Sequence, residues 1–89
     1  MVPKDAPKLL DVESLEPGAK GEEVRVMQEF LKEQGFFKGT PSPTYGPATK
    51  KAVQQFQKAN GLQETGIADS ETIKCINKVA YDLQKMRTE

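Results

Sequence analysis

The sequence contains no histidine, and its only cysteine is Cys75. Because histidine is the commonest general base and the commonest metal ligand, its absence argues against acid–base catalysis and against a metal centre. A single cysteine cannot form an internal disulfide, so the fold has to be stable without one. No apolar run is long enough to span a membrane, and the first residues, MVPKDAPKLL, lack the apolar segment of a secretory signal.

The chain also lacks a net charge, since thirteen lysines and arginines balance thirteen aspartates and glutamates. A neutral chain is not steered over long distances to nucleic acid or to an acidic membrane, so we expect neither as a partner. At 89 residues and 36% apolar composition, the chain is typical of one small domain with a thin core and short extensions.

Three stretches show the 3.6-residue apolar period of amphipathic helices, at about Glu22–Gln34, Pro47–Asn60 and Ser70–Arg87. Proline suits the first position of the second helix, and Gly61 supplies the left-handed backbone that commonly ends a helix. Asp69 is a suitable N-cap for the third helix. Each predicted helix has one apolar stripe, and Leu62 is a further expected core residue. The stripes are Val24, Met27, Phe30 and Leu31 in the first helix, Ala48, Ala52, Val53, Phe56 and Ala59 in the second, and Thr72, Ile73, Ile76, Val79, Ala80, Leu83 and Met86 in the third.

We divide the chain into an extended arm (residues 1–14), a three-helix domain (residues 15–78) and a continuation of the third helix (residues 79–89). The arm is either a disordered tail or a strand-like segment whose Leu9, Leu10 and Val12 dock on the domain or on a partner. The apolar face of the third helix continues beyond the needs of a compact domain. We therefore expect its last turns to pack on the arm or on another chain.

Residues 36–45, FFKGTPSPTY, connect the first two helices and are too apolar for a fully solvated loop. At least two of Phe36, Phe37 and Tyr45 are expected to fold back onto the core. The two halves of the chain share an order of helix, glycine stop, apolar residue and loop, but no residue-by-residue repeat is evident. Cys75 is expected to be a half-buried structural thiol.

A family resemblance emerges from the order and spacing of particular residues. They are Gly21, Val24, Met27-Gln28, Leu31, Gly35, Phe36-Phe37, Tyr45-Gly46, Thr49, Ala52-Val53, Phe56-Gln57, Gly61-Leu62, Thr65-Gly66, Asp69 and Thr72. Over about residues 15–77 the chain resembles the peptidoglycan-binding domain of the first type, a small module attached to many bacterial and phage cell-wall hydrolases. The resemblance implies an all-α fold, a small three-helix bundle with long interhelical loops.

The chain departs from the family pattern in two places. The family usually has Asp-Gly where this chain has Ser42-Pro43, and proline cannot adopt the positive φ that a glycine there could use. The loop is therefore expected to take a different path, in a region that lies near the proposed ligand groove of relatives. The third helix also continues through Val79–Leu83, whereas the family module usually ends sooner.

The candidate ligand-binding surface is a shallow groove between the second helix and residues 37–45. Amide and hydroxyl groups beside such a groove could bond to sugar hydroxyls, N-acetyl groups or peptide amides. The candidate residues are Thr40, Ser42, Thr44, Tyr45, Gln57 and Asn60. The alternative for Gln57 is that it satisfies loop backbone groups, and the alternative for Tyr45 is a core role. No catalytic residue, metal ligand or cofactor is predicted.

Two functions fit these observations. The first is a non-catalytic module that binds the glycan or stem peptide of peptidoglycan and anchors itself or a wall hydrolase. The second is a free-standing structural or interaction subunit, for example of a phage particle or an envelope assembly, that uses the arm and the third helix as contact surfaces. In either case the chain would act at the cell wall or envelope if it is exported, released by lysis or carried in a virion, and would otherwise be cytoplasmic.

Overall fold

A computed structural model describes the backbone of residues 9–87 and the side chains of residues 9–83. It contains three helices, α1 (Glu22–Glu33), α2 (Pro47–Ala59) and α3 (Ser70–Arg87), and no strand is found within this part of the chain. The predicted all-α, three-helix architecture is confirmed. Two of the helices end one residue earlier than predicted, and α3 crosses the predicted boundary at residues 78–79 without interruption.

The first two helices end in the same way. Gly35 and Gly61 follow them with φ of 88° and 73°, the left-handed region that glycine adopts at little cost. The residue after each glycine then donates its N–H to a carbonyl five positions back, from Phe36 to Leu31 at 2.8 Å and from Leu62 to Gln57 at 2.8 Å. These bonds satisfy carbonyls that a helix end would otherwise leave open, and they turn the chain back towards the core.

The core lies between the three helices and is closed by residues from the loops. Its buried apolar members are Leu10, Val24, Met27, Phe30, Leu31, Phe37, Tyr45, Ala52, Val53, Phe56, Ala68, Ile73 and Ile76. Phe56 is at the centre, where Phe30 and Phe36 contact it edge-on with ring centroids 5.8 and 6.1 Å away. Phe37 and Tyr45 are buried, as expected of at least two aromatics of the first connection. In contrast, Leu62 is only half-buried, and Ala48 and Ala59, at the two ends of the predicted stripe of α2, are exposed.

A short segment, residues 15–20, with a turn at Pro17-Gly18, connects the two interhelical loops. Leu15 pairs with Ala68 in an antiparallel bridge, and Lys20 pairs with Thr44 in another. Between them, the N–H of Tyr45 donates to the carbonyl of Ala19 at 3.0 Å. Because one short segment bonds to both loops, the loops are held side by side at one end of the bundle.

The arm is docked in the part that the structure describes. Leu10 is 1% exposed and belongs to the core, Val12 is half-buried against it, and Leu9 is 38% exposed. The last described side chains of α3, among them Val79 and Leu83, are half-buried against the same core. Residues 1–8 of the predicted arm and the side chains beyond residue 83 lie outside the described residues. None of the helices in residues 9–87 is long and apolar enough to cross a membrane.

Candidate functional site

The first loop, residues 34–46, is positioned by the buried side chain of Gln28 on α1. Its Nε2 donates to the carbonyl of Thr44 at 2.9 Å and to Oγ1 of Thr49 at 2.7 Å. Its Oε1 accepts the N–H of Ser42 at 2.5 Å. One amide therefore satisfies two backbone groups of the loop and one hydroxyl of α2, which fixes the loop relative to both helices.

The second loop, residues 60–69, is positioned in the same manner by Gln57 on α2, which is fully buried. Its Oε1 accepts the N–H of Gly66 at 3.0 Å. Its Nε2 lies 2.9 Å from the carbonyl of Ile67, 2.9 Å from Oγ1 of Thr72 and 3.2 Å from Oγ1 of Thr65. With two hydrogens for three acceptors, the Nε2 group shares its donation, and no N–H of this amide remains for an outside ligand.

These two glutamines form a repeated arrangement that the residue order alone does not show. Each donates to the hydroxyl of the threonine at the third position of the next helix, and to the carbonyl five residues before that threonine. The corresponding residues are Gln28 and Gln57, Thr49 and Thr72, and Thr44 and Ile67. The interval between the glutamines differs from that between the threonines, because the first loop is longer and because Gln28 lies further from the end of its helix than Gln57 does. This difference hides the repeat from a comparison at a fixed spacing.

Tyr45 connects the two loops. Its side chain is buried, and its hydroxyl donates to the carbonyl of Gly66 at 2.5 Å. Burial raises the pKa of Tyr45 to about 12, the negative charge of Asp69 adds to this effect, and a backbone hydrogen bond at Ala68 opposes it. The phenol is therefore protonated at neutral pH and acts as a hydrogen-bond donor inside the protein.

The six predicted site residues fall into two groups. Tyr45 and Gln57 are buried, and both bond to the second loop at Gly66. The others are exposed: Thr40, Ser42 and Thr44 in the first loop, and Asn60 directly after α2. The Asn60 amide donates to the carbonyl of Phe56 at 2.8 Å, at the end of α2 away from the first loop. The structure thus brings the loop residues together and leaves Asn60 apart.

Several exposed residues of the two loops and of α2 are brought near one another where Tyr45 and Lys50 contact Gly66. We call them the loop surface and define it by Ser42, Thr44, Lys50, Thr65 and Ile67. Its two halves are joined because Tyr45, next to Thr44, bonds to Gly66, next to Ile67. The Lys50 side chain packs directly over Gly66, since a Cβ placed there would lie 2.6 Å from the lysine Cγ. Ile67 is 40% exposed, a large apolar side chain beside hydroxyl groups and one ammonium group. Such a face offers hydrogen bonds and one apolar contact to a polar ligand.

Sequence reasoning missed Gln28 as a residue that shapes this surface. The pair Met27-Gln28 stands on α1 as Phe56-Gln57 stands on α2, with an apolar core residue followed by an amide. That parallel is the sequence signal that indicates a shared role for Gln28 and Gln57. It also missed Ile67, because an isolated isoleucine in a loop gives no periodic pattern.

No constellation for catalysis or metal binding is found in the described residues. No group of three or more cysteine, aspartate or glutamate side chains there could hold a metal ion. Cys75 is half-buried, as expected. Burial raises the pKa of its thiol and Lys78 opposes the rise, so the reactive thiolate is not favoured.

Comparison with known proteins gives one family and several relatives. The model of a family described as putative peptidoglycan binding domain matches residues 20–76. Two curated sequences of the spore cortex-lytic enzyme of Bacillus cereus are each 35% identical to this chain over 69 residues. The matched part is 76% of this chain but only 27% of the enzyme, so the chain spans about a quarter of these relatives.

Solved structures show the same fold. The crystal structure of the SleB N-terminal domain superposes with a TM-score of 0.74 at 31% identity, covering 79% of this chain and 96% of that domain. A peptidoglycan-binding protein from Clostridioides difficile, solved in complex with glutamine hydroxamate, superposes with a TM-score of 0.66 at 30% identity. That match covers 74% of this chain and 41% of the other.

Proposed function

This chain belongs to the peptidoglycan-binding domain family, and we propose that it is a non-catalytic module that holds itself, or an enzyme joined to it, on the bacterial cell wall. The observation that carries the proposal is the family match over residues 20–76, which includes both glutamines and both loops. A tethered module needs only weak affinity, because attachment raises the local concentration of its partner at the wall.

We assign the contact with peptidoglycan to the loop surface and to Thr40 beside it. Gln28 and Gln57 satisfy the loop backbones from the inside, which leaves the hydroxyls of Ser42 and Thr44 on the outside. Hydroxyl groups and a lysine match the hydroxyls, N-acetyl groups and carboxylates of glycan and stem peptide. Tyr45 and Gln57 then contribute by positioning the loops, and not by touching the ligand.

The altered loop at Ser42-Pro43 is compatible with this assignment. The Ser42 N–H is bonded to Gln28, and the Pro43 carbonyl accepts the N–H of Gly21 at 2.9 Å. The Ser42 hydroxyl is exposed, 3.5 Å from the N–H of Thr44. The loop is therefore anchored through its backbone on both sides of the substitution, while a hydroxyl takes the place of the family's carboxylate.

Binding to purified peptidoglycan sacculi tests the proposal. Thr44→Glu and Ile67→Glu each place a carboxylate on the loop surface without removing an internal hydrogen bond. We expect each to weaken co-sedimentation at least about tenfold, the equivalent of about 1.4 kcal/mol. Lys32→Glu is the matched control, since Lys32 is exposed on α1 outside both loops and its substitution changes the charge by more.

Equal binding by all three variants would contradict the assignment of the surface. No binding by the intact wild-type chain would contradict the function itself. Circular dichroism of each variant verifies that the helices are retained.

A second candidate function, an interaction subunit of a larger assembly, has one observation in its favour. Helix α3 continues to Arg87, beyond the last matched residue at position 76, and Val79, Ala80 and Leu83 remain only half-buried. Failure to bind sacculi together with capture of a defined protein partner through this face would favour it over wall binding.

A further inference from the structure

The arm is held by a contact that resembles peptide recognition. Asn77 on α3 bonds to both backbone groups of Leu10. Its Oδ1 accepts the Leu10 N–H at 2.8 Å, and its Nδ2 donates to the Leu10 carbonyl at 3.0 Å. The Leu10 side chain enters the core and is 1% exposed, whereas the adjacent Leu9 is 38% exposed. Two backbone bonds and one side-chain pocket are the elements by which extended peptides are bound.

This contact lies outside the family module. The family match begins at residue 20 and ends at residue 76, so neither Leu10 nor Asn77 is part of it. The two residues are 67 positions apart in the chain, and the loop surface is built from other residues. The arm contact therefore uses residues outside the matched range and is independent of the proposed wall-binding function.

The docked arm is held by few interactions. Between Leu10 and the bridge at Leu15, the residues Asp11, Glu13 and Ser14 are exposed and only Val12 is half-buried. The gain from one buried leucine and two hydrogen bonds is of the same order as the entropy lost in ordering these residues. We therefore expect the arm to open at a far lower free energy than global unfolding.

We propose that Asn77 and the Leu10 pocket form an exchangeable peptide-docking site, and that its occupant is the segment Leu9–Val12, which a second copy of the chain supplies when its own arm is released. The same segment fits by identity of sequence, and the exposed Glu13 and Ser14 provide the hinge through which the arm leaves. An opened site presents a leucine-sized pocket and the Asn77 amide, whose Oδ1 and Nδ2 no longer bond to Leu10. An extended peptide with one aliphatic side chain meets both requirements.

Amide hydrogen exchange on the wild-type chain tests the opening without any substitution. The N–H of Leu10 is expected to exchange at least about a hundredfold faster than that of Phe56 in α2, and its rate should not change in low urea. A Leu10 amide that exchanges only as fast as the Phe56 amide would show that the arm opens solely by global unfolding. That result would overturn the proposal.

A synthetic peptide of residues 8–14, KLLDVES, stands in for the arm of a second copy. Added to the isotope-labelled full chain, it is expected to shift the Asn77 side-chain amide signals saturably. It should bind Leu10→Ala at least about tenfold more tightly than the wild type, because the resident segment then competes less. A peptide with Leu9→Ala should bind equally well, since Leu9 is exposed, and a peptide with Leu10→Asp should not bind.

Two outcomes would refute the exchange. The first is an absence of binding by a Leu10→Ala chain whose spectrum is native, and the second is equal binding by an Asn77→Ala chain. Between whole chains, light scattering should detect a reversible dimer at high concentration that Asn77→Ala weakens. If the wild-type chain stays strictly monomeric at a concentration equal to that at which the peptide saturates the site, the exchange between copies is overturned. If Leu10→Ala does not fold, the hydrogen-exchange rate of the wild-type Leu10 amide still tests whether the arm opens independently of global unfolding.

Discussion

The replacement Gln57→Met tests the claim that Gln57 is a residue of the fold. Methionine keeps the length and approximate volume of the side chain and removes both polar atoms. The N–H of Gly66 then has no acceptor, and the hydroxyl of Thr72 loses its donor. The carbonyl of Ile67 stays satisfied, because it also accepts the N–H of Asp69 at 2.8 Å and the Thr65 hydroxyl at 3.3 Å.

The magnitude follows from these losses. An unsatisfied buried donor or acceptor costs about 1–3 kcal/mol, so the Gly66 N–H and the Thr72 hydroxyl together cost about 3 kcal/mol. At roughly 0.05–0.15 kcal/mol per residue, a chain of this length has a total free energy of unfolding of roughly 5–13 kcal/mol. The substitution should therefore remove a large fraction of the stability and lower Tm by about 12–24 °C.

Urea unfolding followed by circular dichroism at 222 nm measures the effect. The matched control is Gln55→Met, the same replacement at an exposed position of the same helix, which should change the free energy of unfolding by less than about 0.5 kcal/mol. A Gln57→Met variant as stable as this control would refute the reasoning, because it would show that the loop does not depend on the amide.

The same variant separates the fold from ligand binding. Nuclear magnetic resonance at a temperature where Gln57→Met remains folded shows whether the second loop keeps its wild-type position. If the loop signals are unchanged, the variant should bind sacculi as the wild type does, because the amide is buried. Loss of binding with unchanged loop signals would instead make Gln57 a ligand contact.

Two further predictions concern the residues around the second loop. The pKa of Tyr45 is raised to about 12, whereas an unfolded tyrosine ionises near 10, so the unfolded state binds fewer protons between these pH values. The free energy of unfolding therefore falls by up to about 2.7 kcal/mol as the pH rises through them. In urea titrations at pH 9–12, Tyr45→Phe should lack this loss and Tyr81→Phe should keep it, and equal pH dependences of the two variants would contradict the assignment. Gly66→Ala should lower the free energy of unfolding by about 2 kcal/mol or more, because a φ of 77° adds to the 2.6 Å approach to the Lys50 Cγ. Gly35→Ala, with a φ of 88° and open space, should lose only the backbone part of about 1–2 kcal/mol. The double variant Gly66→Ala/Lys50→Ala should approach the Gly35→Ala value, and a lack of any recovery in thermal unfolding would exclude the steric contribution.

Local signals in the sequence determined where the helices lie. The apolar period of 3.6 residues, the proline that opens α2 and the glycines that end α1 and α2 act over one or two turns. They predicted helix bounds to within one residue and nearly all of the core, including Phe56 at its centre. The family resemblance rested on the same residues, which is why it predicted the fold more securely than the ligand contacts.

The tertiary structure alone decided what the polar residues do. On a helical wheel Gln57 lies at the edge of the apolar stripe, a place that suits both a ligand contact and a buried bond to a loop. The choice depends on whether the chain returns to cover that edge, and the second loop does so at Gly66 and Ile67. Gln28 has the corresponding role for the first loop, at Ser42 and Thr44.

The arm is a further case, because no local pattern marks Leu10 as a core residue. Its burial depends on Asn77, 67 positions away, which satisfies both of its backbone groups. Hydrogen bonds between distant residues form only after the helices have brought their ends together. The sequence by itself thus determined the helices, their caps and their apolar faces, while the contacts that shape the loop surface and hold the arm were decided by the tertiary structure.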